Sequence, residues 1–223
     1  MFHDVPRGPG AVRIKICGIC NPEDAQAAID LGADAIGLNG YSGSKRYLDI
    51  SAAGDWLASL PSQIRKVAVL VNPTLEHALR IAALPFIDSL QLHGSEAPEF
   101  CRELAGQGVP FAKALPVVDA HSLADVQSFH TNWIVLDSAK AGVFGGSGTR
   151  FDWQLARDLT ESQTHINVVL AGGLVPDNVA EAIRVVRPFG VDVTTGVESS
   201  PGRKDHARLR AFIDAAREAS TSV

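Results

Sequence analysis

The chain has 223 residues, of which 46% are hydrophobic and 20% are charged, and its formal net charge is −5. This length and apolar content suit one large α/β domain or two small ones, and they exclude a disordered or fibrous protein. The slight negative charge argues against nucleic acid or an anionic membrane surface as the partner, although a local basic site can still hold a small anion.

Short apolar segments alternate with amphipathic ones along almost the whole chain, which is typical of repeated β-strand and α-helix units. Eight segments are predicted as strands: 12–17, 34–39, 66–71, 87–93, 109–115, 133–137, 166–171 and 190–195. Eight more are predicted as helices: 22–31, 51–59, 74–83, 97–105, 122–128, 153–161, 177–186 and 204–219. Eight such units match a single (β/α)8 TIM barrel over residues 12–223, with residues 1–11 as a flexible N-terminal extension.

The alternative architecture is an open, doubly wound sheet. That fold would predict a G-x-G-x-x-G turn after the first strand, where this chain has CGICNPED. Its glycine pairs come late instead, at Gly145-Gly146 and Gly172-Gly173, and Gly196 follows the last strand. Because the turns after strands seven and eight often bind phosphate in TIM barrels, the glycines favour the barrel and a phosphorylated small-molecule partner.

Targeting signals and cysteine content point to the cytoplasm. No apolar run approaches the roughly 20 residues that cross a bilayer, and the opening MFHDVPRGPGA lacks the apolar core of a signal peptide. Three cysteines are an odd number, which argues against a disulfide framework and for a reducing compartment. We therefore expect a cytoplasmic protein with no membrane or nucleic-acid partner, either a monomer or a homodimer.

Cys17 and Cys20 have the C-x-x-C spacing of a redox dithiol or half a zinc site. A redox dithiol opens a helix, whereas Asn21 and Pro22 place the helix start after Cys20. A zinc site would need two further ligands at suitable spacing, and Cys101 with scattered histidines does not supply them. We predict neither a redox nor a metal role for this pair.

Strand alternation predicts where the side chain of Cys17 lies. In the first strand, Arg13, Lys15 and Cys17 are predicted to point into the barrel, so the thiol lies at the C-terminal end where barrel enzymes have their active sites. A small buried hydrophobe is the alternative for a lone cysteine, but Lys15 beneath it favours the thiolate. Since strand eight closes the barrel beside strand one, inward Asp192 is predicted to form an ion pair with Lys15.

A series of motifs carries a family resemblance. The motifs run in order from near Arg13 to the last helix: KICGICNPEDA, GADAIGL with SKRY, VAVLVNPT, LQLHG, LDS with GGSGTRFDW, LAGGLVPDNV and GVDVTTGVESSPGRKD. By these motifs the chain resembles the phosphoribosylanthranilate isomerase family of tryptophan biosynthesis. The resemblance implies an Amadori rearrangement of N-(5-phosphoribosyl)anthranilate to 1-(2-carboxyphenylamino)-1-deoxyribulose 5-phosphate, which requires no metal or organic cofactor.

The resemblance also implies the catalytic pair. Cys17 matches the general base and Asp137 the general acid. Asp137 ends a strand on the same inward face as Trp133 and Val135, an apolar surrounding that favours a protonated carboxyl group, although a helix cap or loop carboxylate is the alternative. The glycine-rich segment 142–151 is predicted to be a mobile lid or a long solvated loop.

The substrate-binding residues implied by the resemblance lie at other strand ends. Arg46 would bind the anthranilate carboxylate, and His93 would lie near the substrate. Backbone N–H groups at the turns after strands seven and eight would bind the phosphate, and the full expected set also includes a carboxylate: Gly172, Gly173, Asp192, Gly196 and Val197. A solvated arginine, a rim histidine and ordinary turn glycines are the structural alternatives.

Two local features depart from the family pattern. Asn39-Gly40 stands where apolar or aromatic residues are usual, which affects the fit of the anthranilate ring, and Thr194-Thr195 replaces two serines.

The rival functions are another phosphosugar barrel, such as an epimerase or the indole-forming subunit of tryptophan synthase, and a catalytically silent barrel that binds a metabolite or a protein. An epimerase would need a metal-ligand set, and the indole-forming subunit would need paired carboxylates. The retained Cys17, Asp137 and Arg46 argue against a catalytically silent barrel.

Overall fold

Eight parallel strands close into a barrel in the computed structural model, which describes residues 1–2, 11–138 and 151–220. Each strand pairs with the next, and the eighth pairs with the first. The strands are β1 Arg13–Cys17, β2 Ala35–Asn39, β3 Arg65–Leu70, β4 Ser89–Leu92, β5 Phe111–Val117, β6 Trp133–Ser138, β7 Asn167–Leu170 and β8 Gly190–Val193. The predicted TIM barrel is therefore confirmed.

The helices follow the strands in the order that the sequence predicts, with one exception. They are α1 Pro22–Asp30, α2 Gly54–Ser59, α3 Leu75–Ala82, α4 Pro98–Gly106, α5 Trp153–Ser162, α6 Pro176–Val186 and α7 His206–Ser220. The helix start predicted at Asn21 is confirmed, because its side chain accepts the N–H of Asp24, and Thr74 caps α3 in the same way by accepting the N–H of His77. No helix in the described ranges is both long and apolar enough to cross a bilayer.

The exception is the segment between β5 and β6, where the prediction of a helix at 122–128 is wrong. Two short 3₁₀ turns, Ala120–Leu123 and Val126–Phe129, lie there instead. Asp119 and Ser122 bond each other's backbone N–H groups, which closes the first turn. His130 adopts a left-handed conformation with φ of 52° and ends the second turn.

A hairpin after β8 has no counterpart among the predicted elements. The chain makes a short turn at Thr195–Val197 and then forms β9 Glu198–Ser200 and β10 Arg203–Lys204, which pair antiparallel. The last helix consequently begins at His206 rather than at residue 204. This hairpin lies at the C-terminal end of the barrel and contributes to the site described below.

Strand alternation divides the apolar residues into an outer and an inner layer. Val12, Ile14 and Ile16 belong to the layer beneath the helices, as predicted, while small and apolar side chains fill the barrel. Phe2 and Trp133 belong to the inner layer, with Phe189 5.0 Å from Trp133 between ring centroids. Met1 and Phe2, assigned above to a flexible extension, are buried here; residues 3–10 lie outside the described ranges.

Candidate active site

A cleft opens at the C-terminal end of the strands and contains about 640 Å³ of empty space, including the part that is open to solvent. It collects seven of the nine residues that the sequence assigns to the site: Cys17, Arg46, His93, Asp137, Gly172, Gly173 and Asp192. Asn39, Val69, Gln91, Thr194 and Thr195 are among its other lining residues. Gly196 and Val197 are not part of the lining and belong to the short turn that follows Thr194.

Cys17 ends β1 and is only 8% exposed. Its neighbour across the sheet is Gly37 of β2. A Cβ atom on Gly37 would lie 2.6 Å from Cys17 Sγ and 3.0 Å from Lys15 Nζ, so a side chain at this position would displace both groups. The missing side chain of Gly37 thus gives the thiol and the lysine room to lie together.

The ion pair predicted below the thiol is present. Lys15 Nζ lies 2.7 Å from Asp192 Oδ2, and the lysine is fully buried. Burial lowers the pKa of Lys15, but the charges of Asp192 and the Cys17 thiolate, with hydrogen bonds to both, raise it overall. Lys15 therefore remains a cation next to the sulfur.

Asp137 is the second-to-last residue of β6 and has a polar partner on each oxygen. His93 Nε2 lies 3.2 Å from Oδ2, and the N–H of Ser138 donates to Oδ1 at 2.8 Å. The apolar inward face is confirmed for Trp133 and Val135, which lie in the inner layer. The carboxylate itself is thus fixed by hydrogen bonds and does not lie in a purely apolar setting.

Gly172 packs directly against this carboxylate. Its φ is 78°, and a Cβ there would lie 2.4 Å from the backbone N of Ser138 and 2.8 Å from Asp137 Oδ1. Both the left-handed backbone and the close approach require glycine. The turn after β7 therefore supports the predicted acid as well as bordering the cleft.

Gln91 is a lining residue that the sequence interpretation did not include. Its side-chain nitrogen lies 3.4 Å from His93 Nδ1, which makes a chain from Gln91 through His93 to Asp137. Gln91 and His93 lie two residues apart at the end of β4, so strand alternation puts both on the inward face. The same alternation that identified Cys17 is thus the signal that would have found Gln91.

Arg46 reaches the cleft from the segment between β2 and α2. Its guanidinium binds Glu198 through three bonds: Nε donates to Oε1 at 3.0 Å and to Oε2 at 3.2 Å, and Nη2 donates to Oε2 at 2.6 Å. Lys204 Nζ lies 3.3 Å from Glu198 Oε1 and donates to the carbonyl of Cys17 at 2.6 Å. The motif GVESSPGRKD contains both new residues, Glu198 and Lys204, but its letters do not say which loop they contact.

The glycine turns predicted to bind phosphate surround one end of the cleft. Gly172 and Gly173 have positive φ values of 78° and 65° and lie in the lining. Gly196 lies against the opposite turn, where a Cβ would be 2.0 Å from the carbonyl oxygen of Leu174. Val197 is fully buried behind it. The two turns are therefore in contact.

The remaining cysteines lie outside the cleft lining. Cys17, Cys20 and Cys101 are all free thiols. Cys20 Sγ lies 3.4 Å from the carbonyl of Arg46, and Cys101 is buried in α4. In the ranges that the structure describes, no group of three or more His, Cys, Asp or Glu side chains is arranged to hold a metal ion. The predicted lid at 142–151 lies almost entirely outside the described ranges, which resume at residue 151.

Comparison with known proteins gives a consistent result. The family model described as N-(5'-phosphoribosyl)anthranilate (PRA) isomerase matches residues 14–215. The N-(5'-phosphoribosyl)anthranilate isomerase of Magnetococcus marinus is 42% identical over 209 residues, covering 94% of this chain and 97% of the relative. The corresponding enzyme of Acidithiobacillus ferrooxidans is 46% identical over 205 residues, covering 91% of this chain and 96% of the relative.

Solved structures agree with the sequence relatives. The crystal structure of phosphoribosyl anthranilate isomerase from Thermotoga maritima superimposes with a TM-score of 0.84 at 39% identity, covering 93% of this chain and 99% of that one. A crystal structure of such an enzyme with reduced 1-(o-carboxyphenylamino)-1-deoxyribulose 5-phosphate gives a TM-score of 0.80 at 37% identity with the same coverage. The chain belongs to the phosphoribosylanthranilate isomerase family.

Proposed function

We propose that this chain isomerises N-(5-phosphoribosyl)anthranilate to 1-(2-carboxyphenylamino)-1-deoxyribulose 5-phosphate in tryptophan biosynthesis, with Cys17 as base and Asp137 as acid. The observation that carries these roles is that both side chains lie at one cleft near the C-terminal ends of their strands, β1 and β6, with Lys15 beside the thiol and His93 beside the carboxyl group. Family membership supports the reaction, and the presence of both side chains at one cleft supports a proton transfer by each.

The first step opens the furanose ring. Asp137 donates a proton to the ring oxygen, the bond from that oxygen to C1 breaks, and the nitrogen lone pair forms a protonated Schiff base. Since Asp137 Oδ1 accepts the N–H of Ser138, the transferable proton belongs on Oδ2, beside His93. His93 therefore orients the oxygen that delivers the proton.

The second step removes the proton from C2. The Cys17 thiolate takes it, the electron pair forms a C1=C2 double bond, and the positive charge on nitrogen disappears, which gives an enolamine. Tautomerisation of the enolamine to the C2 ketone completes the aminoketose without net gain or loss of protons. Lys15 stabilises the thiolate before transfer because its charge lies next to the sulfur.

Substrate binding is assigned to groups that surround Cys17 and Asp137. Arg46 would hold the anthranilate carboxylate, and the turns at Gly172-Gly173 and Gly196-Val197 would offer backbone N–H groups to the phosphate. Asp192 Oδ1 is buried without a hydrogen-bond partner among the described residues, so it can accept a hydroxyl group of the sugar. We assign the protein to the cytoplasm, as a monomer or homodimer; a solved Thermotoga maritima relative is described as dimeric.

A turnover assay tests this proposal. Loss of the fluorescence of phosphoribosylanthranilate should follow addition of the purified wild-type protein. Cys17→Ser and Asp137→Asn should each lower kcat by about 10²–10⁴-fold while binding of the reduced product analogue stays close to wild type, because positioned proton transfer is lost and the binding groups remain. Cys20→Ser is the matched control and should keep its turnover. Near wild-type kcat in either cleft variant would remove that residue from its role, and a wild type that binds the analogue without turnover would favour the silent barrel.

A further inference from the structure

Arg46 is already bonded to a carboxylate of the protein. Glu198 occupies one edge of the guanidinium, with Nε 3.0 Å from Oε1 and Nη2 2.6 Å from Oε2. A guanidinium has five N–H donors in a planar fork, so bonds on the Nε–Nη2 edge leave the Nη1 end able to bind a second carboxylate in the same plane. The bond to Glu198 thus fixes the plane in which Arg46 can receive another anion.

The stem of Arg46 is confined as well as its head. A Cβ built on Gly18 would lie 3.3 Å from both Cγ and Cδ of Arg46, so the stem passes close above the residue that follows Cys17. The Arg46 side chain is 16% exposed and that of Glu198 only 5%. An arginine on a loop loses much side-chain entropy when it binds a ligand, and this confinement reduces that loss.

A neutral arginine–glutamate pair would attract an anion weakly, but the pair is not isolated. Lys204 Nζ lies 3.3 Å from Glu198 Oε1, so the three side chains together carry a net charge of about +1. The bond to Glu198 is the largest influence on the pKa of Arg46 and raises it, while burial raises the pKa of Glu198 but the bonds and charges of Arg46 and Lys204 lower it overall. Burial lowers the pKa of Lys204, and the charge of Glu198 opposes this in part. Arg46 and Glu198 therefore stay charged at neutral pH, and the cluster has its positive net charge while Lys204 is protonated.

We propose that Glu198 is the positioning residue that holds Arg46 for the carboxylate of the substrate, and that Lys204 offsets the charge of Glu198 so that the site still attracts an anion. Lys204 also ties this cluster to the base, because it donates to the Cys17 carbonyl at 2.6 Å. The inference rests on the proposed function, in which Arg46 binds the anthranilate carboxylate.

Two stable ligands test the proposal by calorimetry: reduced 1-(2-carboxyphenylamino)-1-deoxyribulose 5-phosphate and the phenylamino counterpart that lacks the carboxylate. Glu198→Asp keeps the charge but shortens the reach. We expect it to weaken binding of the carboxylated ligand by about tenfold and to leave the counterpart within about twofold, because only the carboxylate contact loses its geometry. In turnover, KM should rise by a similar factor while kcat stays within about threefold.

Arg46→Gln is the reference variant and should remove most of the preference for the carboxylated ligand. Glu198→Asp added to Arg46→Gln should then have no further effect on that preference, since a residue that acts only through Arg46 has no effect once Arg46 is replaced. Glu198→Gln keeps the side-chain length but replaces one accepting oxygen with an NH₂ group, so the bonds to that oxygen are lost, and we expect it to reduce the preference by about threefold. This second variant keeps the test open if Glu198→Asp does not fold.

Two results would overturn the positioning role. One is that Glu198→Asp weakens the binding of both ligands equally. The other is that Glu198→Gln leaves the preference for the carboxylated ligand unchanged or increases it. If Arg46→Gln itself leaves the preference unchanged, the carboxylate contact of the proposed function has failed, and wild-type turnover then shows whether the reaction remains. Failure of this inference and failure of the proposed function are thus separate outcomes.

Discussion

Two buried lysine–carboxylate pairs in this barrel have similar N–O distances and different surroundings. Lys113 Nζ lies 2.8 Å from Glu96, and it also donates to the carbonyls of Gly94 and Ala114. Glu96 in turn accepts the backbone N–H groups of Asn72 and Gly94. The polar groups of this pair are fully engaged in connecting the loops that follow β3 and β4.

The pair below the cleft is less fully bonded. Lys15 Nζ lies 2.7 Å from Asp192 Oδ2, but Asp192 Oδ1 has no hydrogen-bond partner in the part of the chain that the structure describes. Lys15 also lies close enough to Cys17 for the thiolate to raise its pKa. A buried polar atom without a partner costs free energy, which supports the substrate contact proposed above for Asp192. The two pairs thus differ in their hydrogen bonding and not in their burial, and we infer a structural role for Lys113–Glu96 and a catalytic one for Lys15–Asp192.

Breaking the fully bonded pair should give the largest change in stability. Lys113→Met leaves Glu96 as a buried charge and removes a donor from two carbonyls, so we expect a loss of about 3–5 kcal/mol in the free energy of unfolding. The folded variant should keep kcat within about threefold, because this pair has no contact with Cys17 in our account. Urea unfolding and turnover at low temperature measure the two quantities.

Lys66→Met is the matched control for that variant. Lys66 is also buried, but its Nζ lies 4.0 Å from Asp88, and it donates to the Ile64 carbonyl alone among the bonds of its side chain that the structure describes. We expect its replacement to cost no more than about 1 kcal/mol. Equal losses for Lys113→Met and Lys66→Met would contradict the structural role given to the first pair.

Crowding the less fully bonded pair should lower turnover. In Gly37→Ala the new methyl group would lie 2.6 Å from Cys17 Sγ, which must shift, and a displacement of this size near a reacting group costs about 10²-fold in kcat/KM. Gly106→Ala is the control, because no atom lies within 4 Å of its added Cβ and the residue ends a helix. If both variants keep wild-type kcat/KM, the close packing around the thiol does not matter for the reaction.

The other two cysteines should show the smallest effect. Burial raises the pKa of Cys101 to about 11, with Lys113 opposing in part, and burial also raises the pKa of Cys20. We expect the Cys20→Ala/Cys101→Ala protein to keep kcat within about twofold and the wild type to take up one equivalent of iodoacetamide near pH 8, since a raised pKa leaves a thiol unreactive there. Mass spectrometry of the alkylated peptides identifies the site. Rapid alkylation of Cys101, or loss of turnover in the double variant, would argue against this assignment.

Alternation along strands made much of the site predictable. Because side chains alternate with a period of two, the sequence placed Lys15 and Cys17 in the barrel, and closure of β8 against β1 then brought Asp192 opposite Lys15. That pairing needs only topology and register. Gln91 follows from the same rule and was missed because no charge or thiol drew attention to it.

Contacts between loops were not predictable in the same way. Arg46 and Glu198 are 152 residues apart, and neither lies in a barrel strand whose register could align them. The predicted helix at 122–128 failed because a side-chain cap at Asp119 closes a tighter turn, which competes with helix formation. Met1 and Phe2 are buried at the N-terminal end of the barrel, a position that a short polar segment after them gave no reason to expect.

The role of Lys15 beside Cys17 can be measured as the rate of Cys17 alkylation by iodoacetamide against pH, in folded Lys15→Met and Lys113→Met proteins that also carry Cys20→Ala and Cys101→Ala. We expect Lys15→Met to slow the alkylation of Cys17 by about tenfold near neutral pH, because a cation next to the sulfur is removed, and Lys113→Met to leave the rate unchanged. The same profile in both proteins would contradict the claim that the Lys15–Asp192 pair serves the chemistry of Cys17.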